Sequence, residues 1–72
     1  MDEMIEQISN EVHNDWMHAK RKAGVTSRKL ESGEELMVPY SELSEQAKEL
    51  DRGTVRTVIR VLPAVGYTIR KD

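Results

Sequence analysis

The stretch Pro39–Tyr67, PYSELSEQAKELDRGTVRTVIRVLPAVGY, decides the fold that the sequence predicts. It predicts a tight turn, a short helix, an aspartate hinge, a longer helix and a glycine stop. Ser44 is suited to begin the short helix, Glu45–Leu50, because a serine oxygen can accept a hydrogen bond from a free helix N–H. Asp51 is predicted to end that helix and to cap the next one, which covers residues 52–62.

Apolar residues in this stretch recur at helical spacing. In the longer helix they follow the i, i+3, i+4, i+7 pattern of a buried face: Val55, Val58, Ile59 and Leu62. In the short helix and its approach they also share one side: Leu43, Ala47 and Leu50. Pro63 lacks a backbone N–H, so it is predicted to loosen the last turn, and Gly66 is predicted to end the helix.

The N-terminal third predicts one long amphipathic helix over residues 2–23. Its apolar residues fall in one narrow stripe at about 100° per residue: Ile5, Ile8, Val12, Trp16, Ala19 and Ala23. Acidic residues begin this helix and basic residues end it, which suits the helix dipole. Gly24 is placed to terminate it.

Residues 24–38 have no sustained period and predict a loop with a turn at Ser32-Gly33. Leu36–Val38 is predicted to be a short strand that pairs with a second short strand at Tyr67–Arg70. The predicted fold class is therefore mainly α, a small α+β domain. A long N-terminal helix packs on a short helix and a C-terminal helix, with a minor two-stranded β-pairing, and residues 1–72 form a single domain.

Composition limits the function classes. The formal net charge of −2 argues against a general nucleic-acid or membrane-surface binder, and the chain has no cysteine for a disulfide or a thiolate metal site. No apolar run approaches the roughly 18–20 residues of a membrane span. We therefore expect a cytoplasmic protein. Because so short a chain buries few side chains, a ligand, a protein partner or self-association is expected to contribute to stability.

The order and spacing of several residues resemble the ryanodine-receptor (RyR) repeat domain. The matching pieces are His13-x-x-Trp16-x-x-x-Lys20-x-x-x-Gly24, Val38-Pro39-Tyr40-x-x-Leu43, Lys48-x-x-Asp51-Arg52-x-x-Val55 and Gly66-Tyr67. They cover roughly residues 12–69. The resemblance implies a compact helical fold that serves as a contact, regulatory or ligand-sensing module, with nucleotide-derived ligands proposed for stand-alone prokaryotic and phage versions. A single copy of this size is expected to be such a version.

Four residues are candidates for a ligand site: Trp16, Lys20, Tyr40 and Arg52. Aromatic walls with two cations suit a phosphate-bearing, nucleotide-like ligand. We expect the indole of the first helix to be buried against the last helix, with Lys20 and Arg52 at the edge of one shared pocket.

Each candidate also has a structural interpretation. Trp16 is more typical of a core anchor than of a stacking platform, and Lys20, one turn later, is more typical of a side chain whose aliphatic stem covers it. Tyr40 is expected to pack its ring on the core with its hydroxyl outward. Arg52 lies in the first turn of its predicted helix, where an anion can bind, but a salt bridge to Glu49 or Asp51 would occupy it.

No catalytic constellation is found, so we expect no enzyme activity. His13 and His18 are five residues apart and do not share a helix face, so they predict no metal site, and no cofactor motif occurs. Three functions remain open: a sensor of a small anionic ligand, a protein-interaction or structural module, and DNA binding through the predicted helix pair. The acidic charge disfavours the last, and the resemblance favours the first.

Overall fold

The computed structural model describes the backbone of residues 2–68 and the side chains of residues 3–68. Two α-helices dominate, α1 (Asp2–Lys22) and α2 (Glu45–Val61), with short 3₁₀ turns at Tyr40–Glu42 and Leu62–Val65. The mainly helical prediction is confirmed for this part of the chain. The long first helix has nearly its predicted bounds, and Gly24 follows it at a φ of 83°.

The two predicted C-terminal helices are one continuous helix, so the predicted hinge at Asp51 is wrong. Ser44 caps α2 as predicted, since its Oγ accepts a hydrogen bond from the Ala47 N–H at 3.1 Å. Asp51 lies inside the helix because its carboxylate is held by His13 of α1 instead of capping a new N-terminus. The helix pair that a helix-turn-helix DNA reader requires is therefore not formed.

The predicted β-pairing is also wrong. No strand is formed within residues 2–68, and β-structure there is limited to one isolated antiparallel bridge between Lys29 and Glu35. The Leu36 N–H donates to the Arg28 carbonyl at 2.7 Å, so the loop folds back on itself before it reaches α2. Tyr67 and Thr68 are not in a strand, and the other two residues of the predicted partner strand lie outside the described residues.

The buried side of α1 is rotated by about 80° from the predicted apolar stripe. Its buried residues follow one another every four positions: Ile5, Ser9, His13 and Met17. Ile8 and Val12 are 36% and 37% exposed, and Ala19 and Ala23 are exposed as well. The rotation follows from polar contacts, since it turns His13 inward toward Asp51 and the loop. Hydrophobic periodicity alone does not reveal such contacts.

The core lies between the loop and the start of α2. Its centre is a cluster of Tyr40, Leu43 and Ala47, against which three half-buried loop residues pack: Leu30, Leu36 and Val38. Val55 is buried as predicted, but Leu50 and Val58 are 58% and 54% exposed. After Val61, α2 tightens into the 3₁₀ turn that contains Pro63, and Gly66 ends it with a φ of 93°, as predicted.

The two α-helices contact each other at two points. His13 of α1 faces Asp51 of α2, and two turns earlier in α1 Ile5 and Glu6 share a groove with Arg52 and Arg56. Near the end of α2, Val58 and Val61 remain 54% and 42% exposed.

Ser9 is the most deeply buried side chain described, and its hydroxyl has no hydrogen-bond partner. Ser9→Ala removes a buried polar group without opening a cavity, so we expect it to stabilise the fold by about 1 kcal/mol. Part of this gain is helix propensity. Gln7→Ala, at an exposed position of the same helix, gives a lower bound on that part, because glutamine is a better helix former than serine. Urea unfolding of both variants tests the difference, and equal gains would contradict a buried, unsatisfied hydroxyl.

Candidate functional site

His13 joins the three parts of the fold. Its Nε2 lies 2.7 Å from the Val38 carbonyl oxygen, and its Nδ1 lies 3.6 Å from Asp51 Oδ2. Trp16 stacks on the imidazole, with ring centroids 5.5 Å apart. The histidine is only 3% exposed, so α1, the loop and α2 are connected through one buried polar side chain.

Burial raises the pKa of the Asp51 carboxyl, and the nearby His13 opposes that shift. A carboxylate at this depth is stable when a partner compensates for its lost hydration. The imidazole lies between the two groups: Nε2 is within hydrogen-bond distance of the Val38 carbonyl, and Nδ1 faces the Asp51 carboxylate at the longer distance. The contact between His13 and Asp51 therefore gives both residues a structural role.

Glu6 organises a second cluster, at the N-terminal end of α1. It accepts a hydrogen bond from the Tyr40 hydroxyl at 3.2 Å and an ion-paired bond from Arg52 Nε. Arg52 Nη1 also donates to Glu45 at 2.8 Å and to Glu49 at 3.4 Å. One guanidinium thus pairs with three carboxylates. These contacts raise the pKa of Arg52, and the contact with Arg52 lowers the pKa of Glu6.

Two further cations of α2 extend this cluster. Arg56 pairs with Glu49, and Lys48 lies 3.7 Å from Glu45 with its ammonium 5.5 Å from the centre of the Tyr40 ring. A shallow groove of about 240 Å³ borders the cluster, lined by Ile5, Glu6, Arg52 and Arg56. Carboxylates offset the cations here, so the groove offers no strong positive field to an anion.

The loop over residues 24–38 is held by two carboxylates. Glu35 accepts hydrogen bonds from the Ser27 hydroxyl, the Arg28 N–H and the Met37 N–H. Glu34 accepts from both the hydroxyl and the backbone N–H of Ser44, at 2.6 and 2.9 Å. The second contact ties the loop to the residue that caps α2.

Acid is expected to loosen this loop. The three hydrogen bonds, that from the Ser27 hydroxyl first, lower the pKa of Glu35 from 4.5 to about 2. The stabilisation is therefore complete above the unfolded pKa of 4.5 and is lost as the pH falls toward about 2. Glu35→Gln should lower the melting temperature near neutral pH, and this deficit should shrink in acid. Glu31→Gln, exposed in the same loop, is the control, and a pH-independent deficit would contradict the assignment.

The four predicted ligand residues lie at different positions along the axis of α1. Tyr40 and Arg52 meet at Glu6, and Trp16 reaches Tyr40 through His13, which lies 6.2 Å from the tyrosine ring. Lys20 lies about 21 Å along the helix from Glu6, at 1.5 Å per residue. The structure therefore does not bring Lys20 and Arg52 to one shared pocket. Whether any of the four binds a ligand stays a prediction.

Two of the four make the kind of contact that their structural interpretation predicts. Tyr40 is buried, with its hydroxyl bonded to Glu6, and burial raises its pKa. Arg52 is held in salt bridges, although its partners include Glu6 of α1 and not Asp51. Trp16 is half-buried and Lys20 is half-buried, so both retain accessible surface.

Sequence reasoning missed Glu6, Glu34 and the inward role of His13. The available signal for the histidine was its place in the ordered set of motif residues. Asp51, Val38 and Trp16 belong to the same set, and His13 contacts all three. The carboxylates of Glu6 and Glu34 had no such signal, because their partners are 34 and 10 residues away in the chain.

Within the described residues, no group of acidic or histidine side chains is arranged to hold a metal ion. Neither helix in that part combines the length and the apolar character needed to cross a bilayer.

A search of the curated proteins found no match to the sequence. The model of the RyR domain family matches residues 1–71. The match extends over both helices and the loop between them, including every residue of the His13 and Glu6 clusters. The chain belongs to the RyR domain family.

Proposed function

We propose that this RyR domain is a non-catalytic module that acts by contact with another protein surface. One observation carries the proposal: large apolar side chains, 36–67% exposed, lie on the outside of both helices and the C-terminal turn. They are Ile8, Val12, Leu50, Val58, Val61, Val65 and Tyr67. Extended apolar surface on a small soluble domain is typical of an interaction site.

The polar residues give independent support to this proposal. Tyr40, Arg52, His13 and Asp51 all have partners within the domain. An anionic ligand that binds Arg52 would have to displace Glu6 or Glu45, and it would leave those carboxylates without their cation. Surface contact requires no such exchange, because the exposed apolar residues have no internal partner to lose.

Site-specific photocrosslinking in cells tests the proposed function. A photoreactive amino acid is placed at Val12 or at Val58, and at Glu11 or Lys22 as exposed polar controls. We expect defined adducts, identified by mass spectrometry, from the apolar positions and not from the controls. Equal labelling at all four positions, or no adduct at any, would reject an interaction module.

A small-ligand sensor is the second candidate. One observation favours it: Trp16 and Lys20 lie one turn apart on α1, both are half-buried, and no ion pair within residues 3–68 engages Lys20. A base or other planar group could stack on the indole while Lys20 holds a phosphate. In this arrangement Tyr40 and Arg52 support the site from within the fold and do not contact the phosphate.

Because Trp16 is the sole tryptophan, its fluorescence reports directly on this site. The experiment titrates the domain with mono-, di- and cyclic nucleotides and follows both emission and melting temperature. A sensor gives saturable quenching and a higher melting temperature, both lost in Lys20→Gln and kept in Arg21→Gln. A panel that changes neither signal rejects the sensor and leaves the interaction module.

A further inference from the structure

One side of α2 carries no charged residue over three turns, in a chain that is 33% charged. We call it the α2 outer face; its members are Leu50, Gly53, Thr54, Thr57, Val58 and Val61. At 100° per residue, the cations and glutamates of α2 all lie on the other sides of the helix. Leu50, Val58 and Val61 are 58%, 54% and 42% exposed, so nothing in the described chain covers this face.

The two threonines make the α2 outer face more apolar than its sequence suggests. Thr54 donates its hydroxyl to the Leu50 carbonyl at 3.2 Å, and Thr57 donates to the Gly53 carbonyl at 3.0 Å. These bonds within the helix occupy the hydroxyl donors. Their methyl groups are then the part of each threonine that a partner would meet.

The α2 outer face is symmetric about its midpoint. The midpoint falls between Val55 and Arg56, and counting outward from it pairs Thr54 with Thr57, Gly53 with Val58, and Leu50 with Val61. When the helix packs antiparallel on a copy of itself, the members of each pair lie at the same height along the axis, and Leu50 and Val61, both close to the centre line of the face, meet directly. Since the face is uncharged, such self-contact brings no like charges together.

Nothing among the described residues explains Gly53. It lies inside an α-helix without a positive φ, and a Cβ built on it would meet no atom within 4 Å. A glycine inside a helix costs roughly 1 kcal/mol relative to alanine. Close approach of a second backbone is the usual reason for a small residue on a helix surface. On the side of the face where Gly53 lies, the second copy presents its Thr57 one residue away along the axis, and the missing side chain leaves room for the threonine.

The flanking charges fit the same pairing. Arg60 borders the α2 outer face and has no ion pair within residues 3–68, unlike Arg52 and Arg56. In the antiparallel pairing it lies within about 3 Å, along the helix axis, of Glu49 of the second copy, at 1.5 Å per residue. The two-fold symmetry forms this opposite-charge contact twice.

We propose that the α2 outer face binds a second copy of this chain, with the two α2 helices antiparallel about a two-fold axis at the face's midpoint. The inference rests on the proposed function and names its partner. The small core supports it: the buried apolar residues described are Ile5, Met17, Tyr40, Leu43, Ala47 and Val55. Domains of this size commonly gain stability by association.

Sedimentation equilibrium over a range of protein concentrations tests the pairing. We expect a mass that rises from 8.3 kDa toward twice that value. Leu50→Lys and Val61→Glu should each abolish the dimer, because each places a buried charge opposite an apolar side chain. Asn14→Lys, at an exposed polar position on α1, should leave it unchanged. Circular dichroism confirms that each variant keeps its helices.

Mixing the two variants tests the register. In the mixed pair the introduced lysine and glutamate face each other, so an equimolar mixture should recover a dimer that neither variant forms alone. A wild-type chain that stays monomeric at every concentration, or a mixture that fails to pair, overturns the inference. The proposed function is then judged separately by the crosslinking experiment, in which adducts with a different protein would leave it standing.

Discussion

Replacing His13 with alanine is expected to destabilise the domain by about 3 kcal/mol, a large share of what so small a fold possesses. The change removes the partner of the Val38 carbonyl and of Asp51, takes away the ring on which Trp16 stacks, and leaves a cavity. Because the histidine links α1, the loop and α2, all three should loosen together. Urea unfolding followed by Trp16 fluorescence and by circular dichroism measures this loss.

His18→Ala is the matched control, since it removes an exposed histidine from the same helix. We expect it to change the free energy of unfolding by less than about 0.5 kcal/mol. Asp51→Ala should be costly alone but add little in the absence of His13, giving a coupling of about 1 kcal/mol or more. Additive losses for His13 and Asp51 would show that the two residues do not act as a pair.

Local signals in the sequence were sufficient for the start of α2 and for the ends of both helices. The capping serine at position 44, the glycines after each helix and the proline at position 63 act through contacts with near neighbours in the chain. Such contacts can be predicted from spacing alone. The same reasoning failed at Asp51, because an aspartate that caps a helix and one that faces a histidine on another helix look alike in sequence.

The rotation of α1 shows why the buried face was harder to predict than the helix. Six apolar residues suggested one stripe, yet Ser9 and His13 lie inside while Ile8 and Val12 lie partly outside. Polar contacts across the fold set the rotation. If the α2 outer face and the exposed part of α1 are interaction surfaces, the apolar pattern of the sequence includes intermolecular contacts as well as the core.

Only part of the candidate site's arrangement could be predicted from the sequence. The motif residues were identified by their order, and the structure places Tyr40 and Arg52 together at Glu6. Lys20 could not be excluded from that pocket without knowing where α2 crosses α1. The crossing depends on the continuous α2 helix, which the predicted hinge at Asp51 had divided.

Tyr40→Ala is expected to cost about 3–5 kcal/mol, the range for removing a buried aromatic side chain. The ring is 5% exposed in the cluster with Leu43 and Ala47, and three loop residues pack against this cluster. At roughly 4–8 °C for each kcal/mol, the melting temperature should fall by more than about 12 °C. Thermal unfolding measures the loss, and Tyr67→Ala, at a tyrosine that is 67% exposed, should leave it nearly unchanged.

Tyr40→Phe separates the ring from its hydroxyl. It keeps the packing and the contact with Lys48, and it removes only the hydrogen bond to Glu6, so we expect a cost of about 0.5–1.5 kcal/mol. The two variants together identify what the tyrosine contributes. If Tyr40→Phe is as costly as Tyr40→Ala, the link to Glu6 and Arg52 holds the domain together, and the apolar cluster is secondary. A small loss for Tyr40→Phe beside a large one for Tyr40→Ala places the stability in the cluster, where the loop and α2 meet.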